Sequence, residues 1–334
     1  MDPHNSAAMV GNLRNVRSLA GMVLTTVTLT LTACGSGQQS SPTDDTSRHP
    51  TLSAAATATA EPWRSSAAFN PRTAEESGAP LGYYEYLPPG YGDDEPRPLL
   101  VVLHGFDGGG DGSEANLPNL FEAGIPALIV NDAWPDDRPF VVLAPQHDNT
   151  PPPGGPPEAF APCDEAEFVG SCVMEIQHSL GSSADNSPCM TPTEVHDFLA
   201  FAVASYDVDP DRVYLSGLSC GAFAAYEYAA QYGATEVAAI AVMAGDARWA
   251  WETSGCTLGE LPIWAFEGDA DNVVEPATAI EPIQRLMDCP SPPRQDVVLT
   301  IYPGVDHNSW DRTYDLSAGN DVYSWLLGFT RTDD

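Results

Sequence analysis

The stretch Gly217-Leu218-Ser219-Cys220-Gly221 reads G-x-S-x-G. It stands between an apolar run, Val213-Tyr214-Leu215, and a small-residue segment, Ala222-Phe223-Ala224-Ala225. A strand that turns sharply into a helix leaves the turn serine in a strained conformation, and flanking glycines make room for it. The turn lifts the hydroxyl above the sheet edge. It also sets the next backbone N–H groups at a helix N-terminus, where they can hold a developing oxyanion. Ser219 is therefore the candidate nucleophile. Its hydroxyl needs a histidine to take the proton and a carboxylate to hold that histidine in the right tautomer.

The chain has seven histidines. His4 and His49 fall in N-terminal segments that lack a core, and His196 sits beside a helical apolar stripe. His147 and His178 belong to a long irregular stretch, and His104 ends a strand. His307 remains, in Val305-Asp306-His307-Asn308-Ser309-Trp310, just past the last apolar run. The carboxylate should follow the preceding strand, where Glu267-Gly268-Asp269-Ala270-Asp271 offers two aspartates.

Six short apolar runs must position these groups: Leu99–Leu103, Phe140–Ala144, Val213–Leu215, Ala238–Met243, Pro262–Phe266 and Val297–Tyr302. Most lack alternation, as strands buried on both faces do. Helical patterns between them predict an α/β fold, a doubly wound, mostly parallel sheet flanked by helices. Thr191-Pro192-Thr193-Glu194 reads as a capping box opening a helix with Val195, Phe198, Leu199 and Ala202 on one face. Val322, Trp325, Leu326 and Phe329 keep helical spacing near the C-terminus. Tyr83–Leu87 reads as an edge strand ended by Pro88-Pro89-Gly90. Residues 146–190 form an insertion in the catalytic domain assigned to 77–334. The insertion is either a lid or substrate wall over the sheet edge, or a disulfide-pinned surface excursion.

The chain carries 47 carboxylates against 13 basic residues, all arginine. Such a surface repels nucleic acid and anionic lipid headgroups, so no nucleic-acid partner is expected. Arg14 and Arg17 precede a threonine-diluted apolar stretch, and Leu31-Thr32-Ala33-Cys34 looks like a lipobox. Residues 1–33 then read as a lipoprotein signal peptide with Cys34 the lipidated residue, or as an ordinary secretory signal. Residues 34–76, rich in Ser, Thr and Ala, read as a disordered tether to the extracytoplasmic face of a membrane. Six further cysteines in an exported chain suggest disulfides, with Cys256 paired to Cys289 and Cys220 packing as a small buried thiol.

Several pieces together resemble a known family: Leu103-His104-Gly105, Ala144-Pro145-Gln146, Asp209-Pro210-Asp211-Arg212-Val213-Tyr214, Gly217-Leu218-Ser219, Pro262–Phe266, Gly268-Asp269-Ala270-Asp271 and His307-Asn308-Ser309-Trp310. From about Gly82 to Thr330, outside the insertion, the chain resembles α/β-hydrolases of the esterase branch. That branch includes poly(hydroxybutyrate)-depolymerase-like enzymes, feruloyl and acetyl-xylan esterases, and the phospholipase/carboxylesterase-like "predicted peptidase" group. The resemblance implies the α/β-hydrolase fold, with Ser219 as nucleophile, Asp271 rather than Asp269 as acid, and His307 as base. It places the oxyanion hole at the backbone N–H groups of Phe106 and Cys220, with Gly108-Gly109-Gly110 letting backbone approach the substrate. A competing reading of Asp107, Asp111 and Glu114 is a calcium site. The implied activity is hydrolysis of small or polymeric acyl, acetyl or feruloyl esters with no cofactor and no metal. Alternatives are a serine peptidase on the same fold and a non-catalytic cell-surface binding protein. One departure is Glu267, where the family usually has histidine before the glycine.

Overall fold

The structure, a computed structural model, describes residues 69–93, 95–149, 163, 166–180, 187–290 and 296–331. The signal peptide, Cys34, most of the tether and the proline run of 151–157 lie outside the described residues. Eight strands form one sheet: β1 (Asn70–Arg72), β2 (Tyr83–Tyr86), β3 (Arg97–Leu103), β4 (Val141–Pro145), β5 (Val208–Leu218), β6 (Ala239–Met243), β7 (Ile263–Gly268) and β8 (Val297–Tyr302). Their order is β1-β2-β4-β3-β5-β6-β7-β8. β1 and β2 run antiparallel to their neighbours, and β4 through β8 are parallel.

Period-two geometry divides the apolar strands between two layers. Leu99, Val101 and Leu103 of β3 enter one core with Phe198 and Leu199 of α4 (Pro192–Ser205). Leu100 and Val102 enter the opposite core with Ile125 of α2 (Gly124–Val130) and Leu326 of α9 (Val322–Leu326). The other helices are α1 (Ala74–Ser77), α3 (Val169–Leu180), α5 (Cys220–Tyr232), α6 (Arg248–Ser254), α7 (Ala277–Met287) and α8 (Trp310–Tyr314). β4 lies on one side of β3 and β5 on the other, so the strand order reverses there. Crevices outside the carboxyl ends of strands at such a reversal are where open α/β sheets bind ligands.

Three expectations need correction. Tyr83–Tyr86 is not an edge: β1 pairs with it, Pro71 opposite Tyr84, and takes the edge itself. Ordered chain therefore begins before residue 77, because β1 and α1 lie within the segment read as tether. Low apolar content hid them; Phe69 stacks on Tyr84 at 4.8 Å and anchors the start. Near the C-terminus, α9 stops at Leu326, and the Phe329 carbonyl accepts from the Tyr214 hydroxyl (2.8 Å) instead of continuing the helix. The capping box at Thr191 and Glu194 is present in both directions.

Candidate active site

Ser219 sits between β5 and α5 with φ 51° and ψ −119°, a backbone conformation that L-residues rarely adopt. Its N–H donates to the Met243 carbonyl (2.9 Å), and its own carbonyl accepts from Ala222 and Phe223 (2.8 and 3.1 Å). The two glycines have steric reasons. A Cβ on Gly217 would lie 2.2 Å from the Gly221 carbonyl oxygen, and one on Gly221 would lie 2.1 Å from that of Leu103. Both atoms are backbone, so no side-chain movement relieves the clash. The glycines let the N-terminus of α5 press onto β5 and β3, and that contact holds the serine up.

His307 Nε2 lies 3.0 Å from Ser219 Oγ, and His307 Nδ1 lies 2.7 Å from Asp271 Oδ2. The second carboxylate oxygen of Asp271 accepts from the N–H groups of Val273 and Val274 (2.8 and 3.0 Å). The Asp271 side chain is 1 % exposed and that of His307 17 %. All three residues from distant parts of the chain therefore meet at one sheet edge. Asp269 serves elsewhere. Its Oδ1 accepts from the Gly304 N–H (2.5 Å), tying the Asp271 loop to the His307 loop. A second tie is Ala270 N–H to the Val305 carbonyl (2.9 Å). The Cβ missing from Gly268 would lie 2.3 Å from the Val305 carbonyl oxygen, so the two loops touch because this residue is glycine.

The other side of the serine is a loop after β3 that carries Phe106. Gln146, 1 % exposed, donates to the Gly108 and Asn116 carbonyls (2.9 and 2.8 Å) and accepts from the Gly112 N–H (3.1 Å). Asn149 donates to the Phe106 carbonyl (2.7 Å). The glycine run serves this clamp. A Cβ on Gly109 would lie 2.2 Å from the Asn149 side chain, and one on Gly108 would lie 2.7 Å from His104 Cβ. Asp111, part of the calcium reading, accepts from Ser113 N–H and Asn116 Nδ2 and shapes the loop.

Two histidines set aside in the sequence hold this loop. His104 Nε2 accepts from the His147 N–H (2.9 Å), so Nδ1 carries the proton and donates to the Gly105 carbonyl (2.7 Å). Desolvation pushes its pKa down to about 4, which keeps it neutral. The His147 carbonyl accepts from Gly110 (3.0 Å), and its ring reaches Glu194 Oε1 (3.0 Å) and the Ser187 carbonyl (2.7 Å). Both ring nitrogens face oxygen acceptors, which suits an imidazolium. Burial alone would push His147 down, but the Glu194 carboxylate and the Ser187 carbonyl outweigh it and raise its pKa. Nothing in residue spacing flags these roles. The visible signal is a polar run, Gln146-His147-Asp148-Asn149, directly after an all-apolar strand.

Cys220 is not a free thiol: it is bonded to Cys189, and the other bridges are Cys163–Cys172 and Cys256–Cys289. The expected Cys256–Cys289 pair is present. A disulfide thus joins the residue after Ser219 to the insertion. Met174, Cys189, Cys220, Phe223 and Val274 pack together as a small apolar cluster. A cavity of about 530 Å³ opens over Ser219 and His307, bounded by α3 on one side and by the Phe106 loop on another. The described part of the insertion lines this cavity through α3 and Cys189 and is also pinned by the Cys163–Cys172 and Cys189–Cys220 bridges, so features of both readings of the insertion are present. Glu267, at the family's usual histidine position, is 1 % exposed; burial and then the charges of Asp271 and Asp246 push its pKa well above the carboxylate range.

No family model matches the chain, and no curated protein does either. Solved structures do. A thermostable esterase superposes with a TM-score of 0.53 at 22% identity, over 78% of this chain and 62% of that one. The chain has the α/β-hydrolase fold. It spans only 62% of that esterase's length. An S-formylglutathione hydrolase from Agrobacterium tumefaciens matches at 15% identity with a TM-score of 0.48, over 78% of this chain and 93% of its own. An acylaminoacyl peptidase from Pyrococcus horikoshii matches at 13% identity with a TM-score of 0.44, over 76% and 40%.

Proposed function

We propose that this α/β-hydrolase-fold protein is an exported serine hydrolase that cleaves carboxylic esters, held at the membrane by a lipid on Cys34. The observation that carries the hydrolase reading is the relay Ser219–His307–Asp271, with contacts of 3.0 and 2.7 Å beneath an open cavity. In this reading His307 takes the Ser219 proton as Oγ attacks the ester carbonyl. Asp271 holds the imidazolium by its Nδ1–H. The N–H groups of Phe106 and Cys220 receive the oxyanion, a contribution of roughly 10²–10³-fold in rate per donor. His307 then returns the proton to the departing alcohol and activates the water that cleaves the acyl-enzyme. No cofactor enters the scheme. Three disulfides support an oxidising compartment.

A fluorophosphonate probe should label Ser219, and Ser219→Ala should lose labelling and about 10⁴-fold or more of kcat on a short-chain p-nitrophenyl ester. A protein that is unlabelled and inert is a binding module. Faster turnover of peptide amides than of esters would move the assignment to a peptidase. Fatty-acid labelling abolished by Cys34→Ala tests the anchor separately.

A further inference from the structure

We propose that the cavity selects by charge: it takes uncharged esters with an apolar acyl group and rejects esters that carry a carboxylate. The proposal rests on the esterase reading above and adds its substrate class. Two independent observations carry it, one about the cavity and one about the cations among the described residues.

The interior of the cavity is apolar. Leu120, Met174, Phe223, Val273 and Trp310 line it, together with the Cys189–Cys220 disulfide. The carboxylates that reach it are Asp107, Glu122 and Asp311, and all three are exposed, at its mouth. Among the described residues, no arginine lines it. An anionic substrate therefore leaves water for an apolar wall, passes three like charges, and meets no counter-charge among the described residues.

Among the described residues, cations elsewhere are already engaged. Of the arginines in the described residues, five pair with carboxylates: Arg72 with Glu85, Arg212 with Asp209, Arg248 with Asp246, Arg285 with Glu281 and Arg331 with Asp211. Arg97 donates to the Gly90 carbonyl, and Arg138 and Arg312 lie over aromatic rings. The chain has no lysine, and residues 146–190 contain no arginine but seven carboxylates, so the rest of the insertion brings no arginine or lysine to the mouth. His104 is neutral by its hydrogen bonds, and His147, buried behind the loop, spends both ring nitrogens on Glu194 and Ser187. Among the described residues, the base His307 is thus the basic side chain that faces the cavity without a second role.

The test uses two esters that differ by one charge far from the scissile bond, methyl 4-(butyryloxy)benzoate and 4-(butyryloxy)benzoate, with the full-length protein. Each mouth carboxylate at several ångströms in water is worth roughly two- to threefold, so kcat/KM should favour the neutral ester by about tenfold or more at low salt. The preference should shrink in about 0.5 M NaCl, where the Debye length falls to a few ångströms. It should also shrink in the variant Asp107→Asn/Glu122→Gln/Asp311→Asn. A control with the same net charge, Asp132→Asn/Glu252→Gln/Asp288→Asn, changes exposed carboxylates away from the cavity and should keep it. Equal turnover of the two esters, with Ser219 still labelled by a fluorophosphonate, overturns the charge selection alone. A preference that the control triple erases as much as the mouth triple also overturns it, since the field of the whole surface would then be the cause. Absence of both labelling and turnover overturns the esterase reading, and this proposal with it.

Discussion

The two banks of the cavity are held by different means. On the bank of the relay, backbone touches backbone: Gly217 on Gly221, Gly221 on Leu103, Gly268 on Val305. On the opposite bank, long-range side-chain links hold the wall: the Cys189–Cys220 disulfide, the His147–Glu194 ion pair and the Gln146 amide. A bank built from close backbone contacts fails sharply when one contact is lost. A bank built from separate links should loosen by stages, and loosening a wall alters what fits before it alters the chemistry.

The largest effect is expected from Gly221→Ala. The new methyl would lie 2.1 Å from the Leu103 carbonyl oxygen, so α5 must lift from β3 and carry Ser219 and Cys220 with it. Overpacking against backbone costs about 1–3 kcal/mol or more. In the proposed mechanism a displacement of about an ångström at Ser219 costs on the order of 10²-fold in rate. Fluorophosphonate labelling should slow by that factor, alongside a lower Tm. Unchanged labelling would mean that the elbow tolerates bulk and that the glycine argument is wrong.

The same contrast explains what the sequence discloses. Ser219 and its glycines are legible because their steric demand lies within five consecutive residues. The sheet is legible because strands buried on both faces read as unbroken apolar runs, as Leu99 to Leu103 do. Choosing Asp271 over Asp269 required the family resemblance, since both residues follow β7. Only the folded chain assigns Asp269 to Gly304 and Asp271 to His307. The Cys189–Cys220 pair and the part played by His147 were not legible, because each depends on two segments that meet only after folding. β1 was missed because three residues of backbone pairing carry no periodic signal.

A smaller effect on chemistry, with a distinct signature, is expected from Cys189→Ala/Cys220→Ala. Opening a bridge across a sequence separation of 31 should cost roughly 2–4 kcal/mol of stability. The relay contacts do not pass through either sulfur, so labelling of Ser219 should fall by less than about tenfold, a loss smaller than the 10²-fold expected from Gly221→Ala. Discrimination between short and long acyl esters should weaken, because the wall carrying Met174 is released. A loss of labelling as deep as that of Gly221→Ala would show that the wall and the elbow are one unit.

His147→Gln tests the joint between the banks. A histidine whose folded pKa is raised adds stability that is fully present below its unfolded value of about 6.5 and disappears as pH rises through the folded value. His104 acts in the opposite sense: its pKa, lowered to about 4, makes stability fall as pH drops from about 6.5 toward 4. The groups facing His147 are Glu194, whose pKa is lowered and which stays ionised in this window, Asp148 and His104. The variant should therefore lose about 2 kcal/mol at pH 6, in the range of a charge-assisted hydrogen bond, and progressively less at higher pH. Urea unfolding at several pH values measures this, and a pH-independent difference would rule out an imidazolium at this position.

The least effect on activity is expected from Glu267→Gln, behind the relay on the rigid bank. Burial raises the Glu267 pKa well above the carboxylate range and so favours the protonated carboxyl, whose Oε1 accepts from the Gly245 N–H (3.3 Å). A glutamine reproduces that neutral shape, so turnover should stay within about threefold. The stability change has the sign opposite to the other variants. Above its ordinary value of 4.5, the unfolded chain releases the proton that the folded chain keeps. Wild-type stability from this group therefore falls as pH rises from 4.5 toward the raised folded value. The glutamine removes that penalty, so the variant should be more stable than wild type by a margin that widens with pH, at up to about 1.4 kcal/mol per unit. A variant less stable than wild type at pH 8 would mean that Glu267 is ionised in the fold and that its charge next to Asp271 is compensated by a partner.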